Sequence, residues 1–162
     1  MADLDWDAVQ CFFDAGLMGA LPDLHVPDTS VEDWQSVLDL VKEEGWRSEY
    51  AEGLAMLPAP PAQVVLSRPA HAECAQVSVW LTPAMVVIFR FYAQDRIDFD
   101  IDVRVFHRQE DLDVFCQFLT VLGRRLGKPV LMDAEGGDGS HPVLGYVPAQ
   151  DRVVQLAEPS VR

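Results

Sequence analysis

Residues 97–103 read Ile-Asp-Phe-Asp-Ile-Asp-Val, and only a period of two sorts that order into a dry side and a wet side. In a β-strand Ile97, Phe99, Ile101 and Val103 face one way while Asp98, Asp100 and Asp102 face the other, with successive carboxylates about 7 Å apart. The period then changes. Leu112, Phe115, Phe118, Leu119, Leu122 and Leu126 recur at helical spacing, which predicts a helix over Gln109–Leu126. Glu110 and Asp111 in its first turn and Arg124 and Arg125 in its last complement the helix dipole, and Gly127 suits the C-terminal cap. A half-wet strand and an amphipathic helix each have one apolar side to bury. The expected class is therefore α+β: a mostly antiparallel sheet, a meander plus a C-terminal hairpin, packed against one long helix.

The other elements are read around that pair. Trp6, Val9, Phe12 and Phe13 predict a short amphipathic helix over Asp5–Ala15. Thr29 and Glu32 form a candidate capping box for a helix that buries Val31, Trp34, Val37, Leu38 and Val41 and stops at Gly45. Pro58-Ala59-Pro60-Pro61 reads as a stiff connection from this acidic helical segment, 1–57, to an α+β core over 58–162 of one domain. In the core, Val64–Leu66, Gln76–Thr82, Met85–Tyr92 and Ile97–Val103 read as strands, the third apolar enough to be covered on both faces. Val130–Met132 and a hairpin of Pro142–Val147 with Val153–Leu156 complete the sheet.

Charge limits the partners. Against 12 Lys and Arg stand 26 Asp and Glu, a net charge of −14 over 162 residues. The first 52 residues carry −11 of it and the remaining 110 only −3. Such a surface repels nucleic-acid phosphates and anionic lipid and attracts a basic protein. The start, MADLDWDAVQ, has three acids and no basic residue, unlike the positive n-region of a secretory leader. Apolar runs such as Met85–Phe89 fall far short of a membrane span. Cys11, Cys74 and Cys116 are odd in number and widely spaced, which fits reduced and mostly buried thiols. A cytoplasmic location is expected.

Motifs for chemistry are sparse. His71-Ala72-Glu73 has the H-x-E of zinc deaminases but lacks the P-C-x-x-C that completes their metal site. Asp98, Asp100 and Asp102 open like a calcium loop, yet Val103 stands where the turn glycine belongs and Gln109 where the bidentate Glu belongs. Their face reads as a solvated strand surface, as a contact for a partner's Lys and Arg, or as a weak divalent-metal site. His25, His71, His107 and His141 form no i,i+4 pair, and neither a G-x-S-x-G elbow nor a Walker loop occurs. Gly136–Ser140 reads as a flexible turn. Trp6, Trp34 and Trp46 fall at core spacing, whereas Trp80 lies on the Ser78/Thr82 side of its strand, open to a partner or covered by the N-terminal helices. No catalytic residue, metal or cofactor is expected.

The run Ile97–Asp102, the helix ending Leu122-Gly123-Arg124-Arg125-Leu126-Gly127-Lys128-Pro129-Val130-Leu131, the Glu135 turn and the Gly145-Tyr146 hairpin resemble small acidic actinobacterial proteins of the immunity type. These neutralise toxin domains of polymorphic toxin or contact-dependent inhibition systems. The resemblance spans residues 85–156, with echoes at Asp33-Trp34 and Gly45-Trp46. It implies a non-enzymatic, cytoplasmic binding protein that occludes the active site of a basic toxin. On that reading the contact surface comprises Asp98, Asp100 and Asp102, with Trp80 and the helix acids Glu32, Asp33, Asp39, Glu43 and Glu44. An acidic secretion chaperone and an enzyme of unfamiliar type are the other two classes that fit, and the oligomeric state is left open.

Overall fold

The structure, a computed structural model, describes residues 3–159, so the first two residues of the acidic opening segment lie outside it. In chain order the elements are α1 (Trp6–Val9), α2 (Ala15–Met18), β1 (Asp23–Pro27), α3 (Val31–Glu44), β2 (Arg47–Glu52), β3 (Ala55–Leu57) and α4 (Ala62–Leu66). Then follow β4 (Ala75–Trp80), β5 (Val86–Arg90), β6 (Arg96–Ile101), α5 (Gln109–Leu126), β7 (Val130–Asp133), β8 (Leu144–Val147) and β9 (Arg152–Gln155). The nine strands form one sheet in the order β3-β2-β4-β5-β6-β1-β7-β8-β9, with every neighbour antiparallel. The class is α+β, as expected, with the β4-β5-β6 meander and the β8-β9 hairpin in place. Two principal helices, rather than one, cover the sheet.

Alternation along the strands decides which face the helices cover. Val77, Val79, Val87, Phe89, Ile97, Phe99, Leu24, Val26, Val130, Met132, Leu144, Tyr146 and Val153 are all buried. Onto this face α3 brings Trp34, whose ring meets Phe89 edge-on and whose Nε1 donates to the Ala93 carbonyl at 2.9 Å. Helix α5 brings Phe118 edge-on to both Phe89 and Phe99. Burying one such ring contributes about 2–3 kcal/mol, so this face supplies most of the cohesion. Where α5 crosses β8, a side chain on Gly123 would collide with the Tyr146 ring, and glycine there lets helix and strand approach. Helix α5 has the bounds read from its periodicity, and Gly127 closes it at φ +64.

The N-terminal third departs from the helical segment expected. It contributes three strands, and β1 sits at the centre of the sheet between β6 and β7. The predicted Asp5–Ala15 helix is broken: Asp5 caps α1, a 3-10 turn runs over Gln10–Phe13 and Asp14 caps α2. That turn buries both Phe12 and Phe13, and Phe13 meets Phe106 and Phe115. The capping box of α3 is Ser30 with Asp33, one residue beyond the predicted Thr29 and Glu32, because the Thr29 hydroxyl donates to the Gln94 carbonyl instead. Residues 64–66 are helical, since Pro61 opens a short turn whose Ala62 N–H is bound by Gln35 on α3. The Pro58–Pro61 run thus links the edge strand β3 to a helix that packs back on α3. On β5, Val86 and Ile88 are only partly buried, so that strand is covered on one face and not on both. No helix among the described residues is long and apolar enough to cross a membrane.

Candidate functional site

The opposite face of the sheet carries none of these helix contacts. The strand registers place its side chains in rows. Gln76, Arg90, Asp98, His25 and Leu131 form one row across β4, β5, β6, β1 and β7. Ser78, Ile88, Asp100, Asp23 and Asp133 form the next. Trp80 pairs with Arg47 on one side and Val86 on the other, and the Arg47 guanidinium lies 4.1 Å over the Trp80 ring. Trp80 is therefore half-buried on this face, away from the N-terminal helices. With Val86 and Ile88 it makes an apolar strip beside the carboxylates.

Asp98 and Asp100 share this face, whereas β6 ends at Ile101 and Asp102, expected on the same strand, caps the 3-10 turn that follows; each of the three already has an arginine. Asp98 accepts from Arg96 Nε at 2.8 Å, Asp100 from Arg90 Nε at 2.7 Å and Asp102 from Arg104 Nε at 2.9 Å. Arg104 holds the Asp102 carboxyl below its ordinary range, and Asp100 holds Arg90 more firmly protonated. Their charge is thus partly neutralised within the chain. The acceptors still free are spread over β6, β1 and β7.

Asp23 stands directly opposite both Asp100 and Asp133, so three carboxylates occupy one row over β6, β1 and β7. Like charges set side by side oppose the fold. Burial, with the Asp100, Asp98 and Glu135 charges behind it, pushes the Asp23 carboxyl above its ordinary value of 3.8, against a lowering hydrogen bond from Gly136 N–H. The loop of residues 134–142 closes over this row. Gly136 N–H donates to Asp23 at 3.0 Å, His141 N–H to Asp133 at 3.4 Å, and Glu135 accepts from Leu21 N–H at 3.0 Å. Gly139, at φ +84, packs on Arg96 and the His25 ring, where a side chain would crowd both. This cover leaves His25 5%, Asp100 7% and Asp133 3% exposed. Among the described residues His25 Nδ1, Asp100 Oδ1 and Asp133 Oδ1 have no hydrogen-bond partner. Burial, reinforced by Arg96 and opposed by Asp133 and Asp98, lowers the His25 pKa, so the ring is neutral at pH 7. Two carboxylate oxygens without donors, beside an imidazole, form a site suited to N–H donors.

The helix acids lie elsewhere. Asp33 caps α3 and accepts from Lys128 Nζ at 2.8 Å, Asp39 accepts from Gln35 at 3.0 Å, Glu43 accepts from Arg125 Nη2 at 3.0 Å, and Glu32 and Glu44 are exposed. Helix α3 packs on the Phe89 face, so these five residues and the strand aspartates are on opposite sides of the sheet. One flat partner surface cannot touch both. Sequence reasoning passed over Asp23, His25 and Asp133. The available signal was the Asp-Leu-His-Val alternation before Pro27, together with an aspartate ending a strand at a glycine loop.

Other reactive groups are isolated. Cys74 is exposed, contrary to the expectation of mostly buried thiols, while Cys116 is buried on α5 and its thiol is pushed up to about 12 by burial. Cys116 lines a hollow of about 490 Å³ with Trp46, Leu81 and Asp113, on the helix side of the sheet. Among the described residues no group of three or more His, Cys, Asp and Glu side chains is placed to hold a metal ion. No protein-family model matches the sequence, nor does any curated protein.

Proposed function

We propose that the chain is an immunity-type binding protein, acting in the cytoplasm, whose helix-free sheet face covers a basic surface of a partner such as a toxin's active-site cleft. The observation that carries this reading is the row Asp100–Asp23–Asp133, with two buried carboxylate oxygens left without donors beside an apolar strip headed by Trp80. A buried acceptor without a donor costs about 1–3 kcal/mol, and an arginine or lysine that displaced the loop of residues 134–142 would recover that cost. The surrounding charge of −14 steers a basic protein towards the chain and speeds encounter. Trp80 supplies the aromatic anchor such interfaces favour. Asp98 on β6 and Asp102 just beyond it then act at the rim, and the α3 acids contribute long-range attraction rather than contact.

The test begins with affinity capture from the native cell, followed by stopped-flow association with the purified partner at low and high salt. Asp98→Lys with Asp102→Lys should slow association about tenfold or more at low salt and flatten its salt dependence. Trp80→Ala should raise Kd through faster dissociation, by about 2 kcal/mol. Glu32→Lys with Glu44→Lys, behind the sheet, should leave dissociation unchanged. If the α3 pair alone weakened the complex, the helix-free face would not be the contact surface.

A further inference from the structure

The two edges of the sheet end differently. On β9 the Asp3 carboxylate accepts the Val153 N–H at 3.0 Å, and Arg152 begins the strand with a charge. At the other end β3 pairs only with β2, and among the described residues no further hydrogen bond reaches Ala55, Met56 or Leu57. Edge strands are normally blunted by a charge, a bulge or a covering segment, because free main-chain groups recruit another strand. Here the side chains invite one. Leu54, Met56, Leu57 and the nearby Val64 are 101%, 58%, 43% and 54% exposed. From Gly53 to Ser67 there is no charged residue. Beside the strand, a mostly apolar groove of about 360 Å³ lined by Leu38, Val41, Tyr50, Leu57 and Val77, with one charge of each sign at Lys42 and Glu49, continues under α3.

Whatever pairs with this edge must bring main-chain donors and acceptors, apolar side chains and no charge. The β3 segment of a second copy brings all three. A surface that is both the template and the strand it requires is self-complementary, the property of an isologous two-fold contact. Electrostatics selects the same place. Two copies each at −14 repel over most of their surfaces, and a neutral window is where they can meet at least cost. We propose that β3 is a self-pairing edge, at which two copies join antiparallel about a two-fold axis so that one sheet runs through both. Three residues and Pro58 limit the ladder, so the contact falls below the roughly 1,200 Å² of a stable standard interface and its Kd is about micromolar or weaker. It lies about 24 Å from β1, five strands away, and leaves the Asp23 row free.

Sedimentation velocity over about 1–500 μM, at low and high salt, tests this by mass action. The weight-average mass should rise from 18.1 kDa towards twice that value as concentration increases, and more steeply at high salt, where screening relieves the mutual repulsion. Met56→Lys and, separately, Leu54→Glu, both at exposed positions, should hold the chain monomeric at every concentration. Leu156→Lys, beyond the opposite edge, should dimerise like the unaltered chain. A mass of 18.1 kDa throughout at high salt, or a dimer indifferent to both β3 substitutions, would overturn the proposal.

Discussion

Strand β6 presents Ile97, Phe99 and Ile101 to one side of the sheet and Asp98 and Asp100 to the other, and different forces act on the two sides. On the covered side, dispersion and the hydrophobic effect hold rings of α3, α5 and the two strands β5 and β6 together. On the bare side, ionised groups fix one another: Arg90 answers Asp100, Arg96 answers Asp98, and Asp23 meets two carboxylates with only main-chain N–H to offset them. A side built from mutually frustrated charges gives up folding energy. Such a concession fits a surface maintained for contact rather than for cohesion.

The difference can be broken most forcefully from the covered side. Phe99→Ala should cost about 3–5 kcal/mol in urea unfolding, since it empties a cavity between Phe89 and Phe118. Arg90→Ala, on the bare side, should cost about 2 kcal/mol by leaving the buried Asp100 carboxylate unpaired. Adding Asp100→Asn should restore much of that loss, because the stranded charge is then gone. A full 3–5 kcal/mol loss without rescue would mean that Arg90 acts by packing.

Smaller and opposite in sign is Asp23→Asn. The folded chain grips the Asp23 proton more tightly than the unfolded chain, so this stabilisation is complete below the ordinary value of 3.8 and is lost as pH rises through the raised folded value. At neutral pH the wild type therefore holds an unfavourable charge. Asp23→Asn should raise Tm near pH 7, with the gain gone near pH 3. His25 has the converse sign: its lowered pKa contributes stability above 6.5 that is lost as pH falls from there through the folded value. His25→Gln should flatten the Tm profile on that acid side, and an unaltered slope would place the sensitivity elsewhere.

Local pattern and tertiary placement explain which of these features could be read in advance. Helix α5 was legible because periodicity, terminal charges and Gly127 all agree over eighteen residues. The faces of β6 followed from its alternation alone. Strand β1 was not legible: Asp-Leu-His-Val-Pro offers two apolar residues between prolines, and it becomes a strand through the slot that β6 and β7 provide. Short apolar runs such as 64–66 are ambiguous between helix and strand until a neighbour, here Gln35, binds one of their N–H groups. Asp98, Asp100 and Asp102 were visible in the sequence. Arg96 and Arg104 stand two residues from Asp98 and Asp102 in the chain, but the Arg90–Asp100 pair and the Asp23–Asp133 neighbours depend on cross-strand register that no single segment encodes.

The central claim is that the helix-free face around Asp23, Asp100 and Asp133 is where a basic partner sits. Amide hydrogen exchange, followed on the isolated chain and on its complex with the captured partner, addresses it without any substitution. The account predicts that binding alters exchange across residues 134–142, the loop displaced from the carboxylate row, and leaves the exposed turns of α3 unchanged. Slowed exchange along α3 with 134–142 unaffected would contradict it.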